Sequence, residues 1–217
     1  MGESDVVRRL EETRIVAIIR DVSLEHARIL GEALVLGGVR AIEVSFTTPD
    51  AIPFIERLSG DLGSDIAVGA GTVLDGPTAR SAILAGASFV LSPALSPEVI
   101  RVCRRYGVPA IPGAMTPTEI LSAWEHGASI VKVFPAGRLG PSYIKDIKGP
   151  LPQVELMPVG GISLSNAAEF VEAGAVALGI GSALVDRRLV AERNFNAITE
   201  RARAFVETAT AVRKLHR

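Results

Sequence analysis

Cysteine is nearly absent. Cys103 is the one thiol in 217 residues, so neither an intramolecular disulfide framework nor a cysteine-based zinc cluster can hold the chain together. Aromatic residues are scarce too, 5% of the sequence with a single tryptophan, Trp124, which leaves Ala, Val, Ile and Leu to build the core. Such a core suits parallel strands buried on both faces, with helices packed against them. Neither sign of charge is in excess. At a formal net charge of −1, no global basic field draws in nucleic acid or an anionic membrane. A long apolar run is also missing: the longest uncharged stretch, Ser81 to Pro97, is broken by Gly86 and Pro93 and reads as helix, turn and strand, a poor membrane span. The opening MGESDVVRRLEETR has no apolar h-region, so no secretory signal is expected, and Val6 stands where N-myristoylation requires Ser or Thr. The expectation is a soluble cytoplasmic protein. With 48% hydrophobic and 22% charged residues at 22.8 kDa, the chain has ordinary globular proportions and the size of a single domain.

What is present is a beat. Short β-branched apolar runs alternate with longer amphipathic stretches: Ile15–Ile19, Ala41–Val44, Ile66–Ala70, Ser88–Leu91, Pro109–Pro112, Ile130–Phe134, Leu156–Val159 and Ala177–Ile180. Between them the periodicity predicts helices, among them Leu24–Leu36, Pro77–Ala85, Pro97–Tyr106, Thr116–His126 and Asn166–Ala173. Ser96-Pro97-Glu98 supplies a cap, a proline at the first helical position and an acid in the first turn. Gly37-Gly38, Gly86, Gly107, Gly127 and Gly174 stand where each helix must stop. The segments GGVRAIEV, AGASFVLS, YGVPAIPG, HGASIVKV and AGAVALGI repeat one motif, a glycine, a small residue and then an apolar strand. Eight strands alternating with helices give an eight-stranded (β/α)8 barrel of the TIM type or an open doubly wound sheet. No strand leads into G-x-G-x-x-G with an acid about 20 residues on, which disfavours the dinucleotide-binding sheet. A single-domain (β/α)8 barrel is the expectation, with a charged helical extension from about residue 187 that covers the bottom or side of the barrel or forms an oligomer contact.

Chemistry on such a barrel sits at the C-terminal ends of the strands. Two of those ends carry an ionisable group inside an apolar run, Glu43 in AIEV and Lys132 in IVKVF. They read either as residues snorkelling to water or paired to tie strands together, or as a desolvated amine nucleophile with a carboxylate that moves protons. Val159-Gly160-Gly161 and Gly179-Ile180-Gly181-Ser182 end the seventh and eighth runs, where barrels commonly bind phosphate through backbone N–H groups; they read equally as ordinary tight turns. His26, His126 and His216 lack metal-site spacing and are expected on the surface; Cys103 and Trp124 are expected to pack.

The succession IVAIIR, GGVRAIEVSFTTPDA, VGAGTV, LSPALSPEVI, IPGAMTPTEI, VKVFPA, VGGIS and GIGSALV, from about Ile15 to Asp186, resembles the 2-keto-3-deoxy-6-phosphogluconate (KDPG) aldolase family. The resemblance implies a (β/α)8 class I aldolase, usually homotrimeric, that cleaves a phosphorylated keto-deoxy sugar acid to pyruvate and glyceraldehyde 3-phosphate with neither metal nor cofactor. It implies a Schiff base on Lys132, acid/base work by Glu43, and substrate contacts from Arg20 and, at the carboxylate end, Thr72. Phosphate would lie on Gly160, Gly161, Gly181 and Ser182, with Pro93 and Phe134 lining the pocket. Two positions depart from the family pattern. Thr47 stands where some members have a carboxylate-pairing arginine. Val159 replaces the threonine of many gluconate-type members and is similar to the galactonate-type (KDPGal) relatives, which bears on preference at C4. Two other readings of the pattern are a phosphosugar epimerase or thiamin-phosphate-synthase-like transferase, and a barrel that only binds a phosphorylated metabolite.

Overall fold

The computed structural model describes residues 2–212. Its strands are β1 (Ile15–Ile19), β2 (Ala41–Ser45), β3 (Ala67–Gly71), β4 (Phe89–Leu91), β5 (Ala110–Ile111), β6 (Gly113–Ala114), β7 (Val131–Val133), β8 (Leu156–Pro158) and β9 (Leu178–Ile180). All pair in parallel, in the orders β5-β4-β3-β2-β1-β9 and β6-β7-β8. The two arcs close on each other. β5 and β6 are halves of one stave interrupted at Pro112, and a parallel bridge between Val159 and Gly179 joins β8 to β9. The result is an eight-stave barrel, each apolar run of the sequence supplying one stave. β6 is the exception to the expected boundaries, because the fifth stave continues past Pro112 to pair with β7.

Side chains alternate across the strand plane. One set, including Val16, Ile18, Phe89, Leu91 and Met157, fills the barrel interior; the other meets the helices. β3 gives the interior only Ala67, Gly69 and Gly71, since its neighbours need the room: a Cβ on Gly69 would overlap the Phe89 ring. The helices are α1 (Glu3–Thr13), α2 (Ala27–Leu36), α3 (Ala51–Asp61), α4 (Gly76–Leu84), α5 (Pro97–Arg105), α6 (Pro117–Glu125), α7 (Ala136–Lys148), α8 (Ala167–Glu172), α9 (Arg187–Ala191) and α10 (Phe195–Ala211). Their starts follow the local chemistry. Asp75 accepts from the Thr78 N–H at 2.7 Å, Ser96 accepts from Val99 N–H, and Thr116 with Glu119 closes a reciprocal capping box. Gly38, Gly86, Gly107, Gly127 and Gly174 all take the positive φ that ends a helix.

The charged N-terminal stretch, read only for targeting signals, forms α1, whose Val6 and Leu10 are buried in the interior cluster and plug the barrel floor. Each such burial contributes about 1.5–3 kcal/mol. The C-terminal extension covers the side of the barrel: α10 packs on α2 and α8, and it also meets α1. Gly37 permits the contact, because a Cβ there would overlap that of Ala202, and Thr199 donates to Ala33 O at 2.9 Å. Buried Arg14 ties the seam, donating to Ala209 O at 3.2 Å and Val212 O at 3.1 Å. Cys103 is buried, as expected for a packed thiol, and burial pushes its pKa up to about 12. Trp124 packs partly buried against the core, and His126 is exposed. His26 departs from expectation, its side chain only 13% exposed and its ring tilted against Phe195 at 5.9 Å. His216 lies outside the described residues.

Candidate active site

Glu43 and Lys132 are the two charged residues buried in the strands, 1% and 4% exposed. β2 carries the glutamate and β7 the lysine. Counting round the closed barrel these are the second and sixth of eight staves, so the two side chains approach from opposite walls. The two attract each other through space, and among the described residues Glu43 Oε2 has no hydrogen-bond partner. Burial pushes the Glu43 carboxyl above the usual carboxylate range, against the pull of Lys132 and then Arg20. Burial likewise holds the Lys132 amine below the usual lysine range; Glu43 opposes this and the positive charge of Arg20 adds to it. Lys132 Nζ lies 5.0 Å from the centroid of the Phe134 ring. The arrangement holds an amine that can be neutral near a carboxyl that can take up a proton.

Arg20, at the end of β1, is exposed and reaches this pair by charge alone. Gly71 lies directly under the Glu43 carboxyl, where a Cβ would overlap it. The next residue, Thr72, adopts a left-handed backbone at φ 60°, a strained state for a β-branched side chain that costs about 1–3 kcal/mol. Its hydroxyl is 2.9 Å from that of Ser45, which is 2.9 Å from that of Thr47. Ser45 is wholly buried, while Thr47 is exposed. Pro93 is half-buried, and its carbonyl lies where Gly113 would carry a Cβ; Gly113 in turn pairs with Lys132.

The two glycine turns lie side by side on the rim, since Val159 bridges to Gly179 one and two residues before Gly160 and Gly181. Gly160 and Gly161 both have positive φ, 87° and 76°. Gly161 touches Gly137 so closely that its Cβ would stand 2.8 Å from the Gly137 Cα. Asn166 fixes this turn, donating to Gly161 O at 3.0 Å and accepting from Ser163 N–H at 2.9 Å. Beyond β9, Gly181 O accepts the N–H groups of Leu184 and Val185, a single helical turn that leaves Ser182 exposed. Val159 faces inward, 4% exposed, against Gly179 and beside Ile18 in the interior cluster.

The sequence reading missed three members of this arrangement. Ser45 had a signal, the alternation Ala41, Glu43, Ser45 along one strand face. Gly71, which lies in the VGAGTV segment, and the Asn166 tether depend on contacts across the fold, which local pattern does not carry. Among the described residues no three of His, Cys, Asp or Glu gather as a metal-binding cluster, and no helix is long and apolar enough to cross a membrane.

The model of the family described as KDPG and KHG aldolase matches residues 6–201. A 2-dehydro-3-deoxy-phosphogluconate aldolase of Treponema pallidum is 38% identical over 89% of this chain and 92% of its own. A 2-dehydro-3-deoxy-6-phosphogalactonate aldolase of Escherichia coli is 32% identical over 89% and 93%. Among solved structures, a KDPG aldolase of Legionella pneumophila, with pyruvate captured as a covalent carbinolamine, superposes with a TM-score of 0.86. It is 31% identical, covering 92% of this chain and 97% of that one. With a family match across nearly the whole barrel and relatives aligned almost end to end, the chain belongs to the KDPG and KHG aldolase family and is a class I aldolase, a lyase.

Proposed function

We propose that the protein cleaves 2-keto-3-deoxy-6-phosphogluconate to pyruvate and glyceraldehyde 3-phosphate, with Lys132 as the Schiff-base lysine and Glu43 as the acid/base. The observation that carries this reading is the desolvated amine of Lys132, held opposite a desolvated carboxyl inside a barrel mouth. The neutral amine adds to the C2 carbonyl and loses water, giving an iminium that withdraws electrons. Glu43, directly or through water, removes the C4 hydroxyl proton as the C3–C4 bond breaks and the aldehyde leaves. Protonation of the enamine at C3 and hydrolysis then release pyruvate. Thr72 and Arg20 hold the carboxylate end, Gly160, Gly161, Gly181 and Ser182 the phosphate, and Pro93 and Phe134 the walls.

Borohydride added with pyruvate should reduce the iminium and add its mass at Lys132, while Lys132→Met abolishes both adduct and turnover. An unmodified protein, under conditions that trap a control aldolase, overturns the mechanism. Turnover that survives Lys132→Met points instead to an epimerase-type barrel.

The apolar wall at Val159 supports activity on both C4 epimers, the galactonate as well as the gluconate. A hydroxyl contact that favours one epimer contributes about 0.5–1.5 kcal/mol, and valine supplies none. Sharp rejection of an epimer arises when a polar group of the site is left unpaired, a penalty valine removes. A coupled pyruvate-release assay on the two epimers should therefore show a preference below about a hundredfold; more than a thousandfold overturns it. 4-Hydroxy-2-oxoglutarate is a further substrate under this reading. A homotrimer in the cytoplasm goes with the family resemblance, and a monomeric mass by light scattering overturns the trimer.

A further inference from the structure

We propose that Ser45, a residue that touches no substrate, positions the Thr72 hydroxyl as a donor to the carboxylate of bound pyruvate. The proposal rests on the reading of Thr72 as the carboxylate contact and adds to it how the hydroxyl is aimed.

Ser45 is buried at the end of β2, in register with Gly71 of β3. Phe46 N–H donates to Gly71 O at 2.8 Å and locks the two strand ends together. Ser45 Oγ has three partners: Thr47 Oγ1 at 2.9 Å, Thr72 Oγ1 at 2.9 Å and the Thr47 backbone N–H at 3.4 Å. A hydroxyl donates once and accepts twice. The Thr47 N–H takes one accepting position, so of the two threonine hydroxyls one donates to Ser45 and the other receives its proton. In one direction Thr47 donates to Ser45 and Ser45 to Thr72, which leaves the Thr72 proton for a group in the site. In the other direction the unused proton belongs to exposed Thr47 and faces water.

A carboxylate only accepts, so it stabilises the first direction and disfavours the second. Ser45 is the hinge of that choice. It also polarises Thr72, since a hydroxyl that accepts a hydrogen bond donates a stronger one. The strained φ of Thr72 fits this role, because the backbone presents the hydroxyl to Ser45 at a conformational cost the strand alone does not require.

Borohydride trapping at Lys132 is measured against concentration of pyruvate and of pyruvamide, its uncharged isostere. Ser45→Ala should raise half-saturation by pyruvate about tenfold, or about 1.4 kcal/mol, and leave pyruvamide within about twofold. Ser45→Thr, which keeps the hydroxyl, should restore the preference for pyruvate. Equal losses with both ketones, or no rescue by threonine, would mean that Ser45 only packs, and the proposal falls. If Ser45→Ala does not fold, Thr47→Val at the exposed end decides: the pyruvate-to-pyruvamide preference should fall about threefold, and an unchanged preference overturns the relay. Failure of the wild type to trap pyruvate at all would instead sink the Schiff-base reading, a result distinct from failure of the relay.

Discussion

Replacing Gly71 with alanine adds one carbon under the Glu43 carboxyl. The added Cβ would overlap Oε1 and Cδ of Glu43 and stand 2.7 Å from its Cγ. Strand backbone at residue 71 suits alanine, and the loss of unfolded-state freedom favours the variant by about 0.4–1 kcal/mol, so the fold survives the change. The strain falls on Glu43. To regain an ordinary carbon–carbon contact its Cγ must retreat by about 1 Å, and the carboxyl further. A misplacement of about 1 Å costs on the order of a hundredfold in rate, about 2.7 kcal/mol. Pyruvate release from the phosphorylated substrate should therefore fall about a hundredfold in kcat/KM, while borohydride trapping of pyruvate stays within about threefold, because Lys132 stands on the opposite wall. A variant that cleaves within about fivefold of wild type would refute either the placement of Glu43 over Gly71 or its role in bond cleavage.

Glu43→Gln removes the charge that holds the Lys132 pKa up against burial, so that pKa falls further and the amine stays neutral to lower pH. The pH at which trapping is half-maximal should move down while cleavage collapses; an upward shift contradicts the assignment of charges. Arg14→Met strips two carbonyls of a buried cationic donor, a loss of about 1.5–3 kcal/mol, and should lower Tm by about 3–10 °C in calorimetry. An unchanged Tm would mean that water replaces the guanidinium at no cost. Val159→Thr should move the epimer ratio toward the gluconate substrate and leave pyruvate trapping nearly unchanged. If the ratio is untouched, the discriminator lies elsewhere, at Arg20, Thr47 or the loop after Pro135.

The stave pattern was legible because each barrel strand is buried on both faces and so shows as an apolar run, with a helix-ending glycine just upstream of most of them. Ile15–Ile19 is both the run in the sequence and the strand in the structure. Glu43 and Lys132 were legible for the converse reason: a charge inside such a run is costly, so it stands out. Helix α1 was not legible. Its two buried residues, Val6 and Leu10, are four apart among charges, and what they cover is a barrel floor assembled from strands spread over most of the chain. The direction of the tail was hidden likewise, because the notch at Gly37 that receives α10 is 165 positions from Ala202. Ser45 and Gly71 belong to the same class. Their roles exist only where β2 and β3 lie in register, and register is a tertiary fact.

Placing the two charges on opposite walls has an energetic consequence that neighbouring strands could not give. On adjacent strands a buried carboxylate and ammonium would collapse into a contact pair with satisfied hydrogen bonds, which favours the charged form of each and leaves no nucleophile. Here the barrel frame fixes both backbones and Gly71 seats the carboxyl close to its own wall, so the attraction remains but the contact does not form. Desolvation therefore dominates both groups, raising the acid and lowering the amine, and their two pKa values move toward each other. Under the proposed mechanism, an acid and a base brought closer in strength exchange protons more readily, as successive addition, dehydration and bond cleavage require. Holding both groups buried without a contact pair between them costs stability, a cost that the proposed chemistry at Lys132 and Glu43 would turn to use.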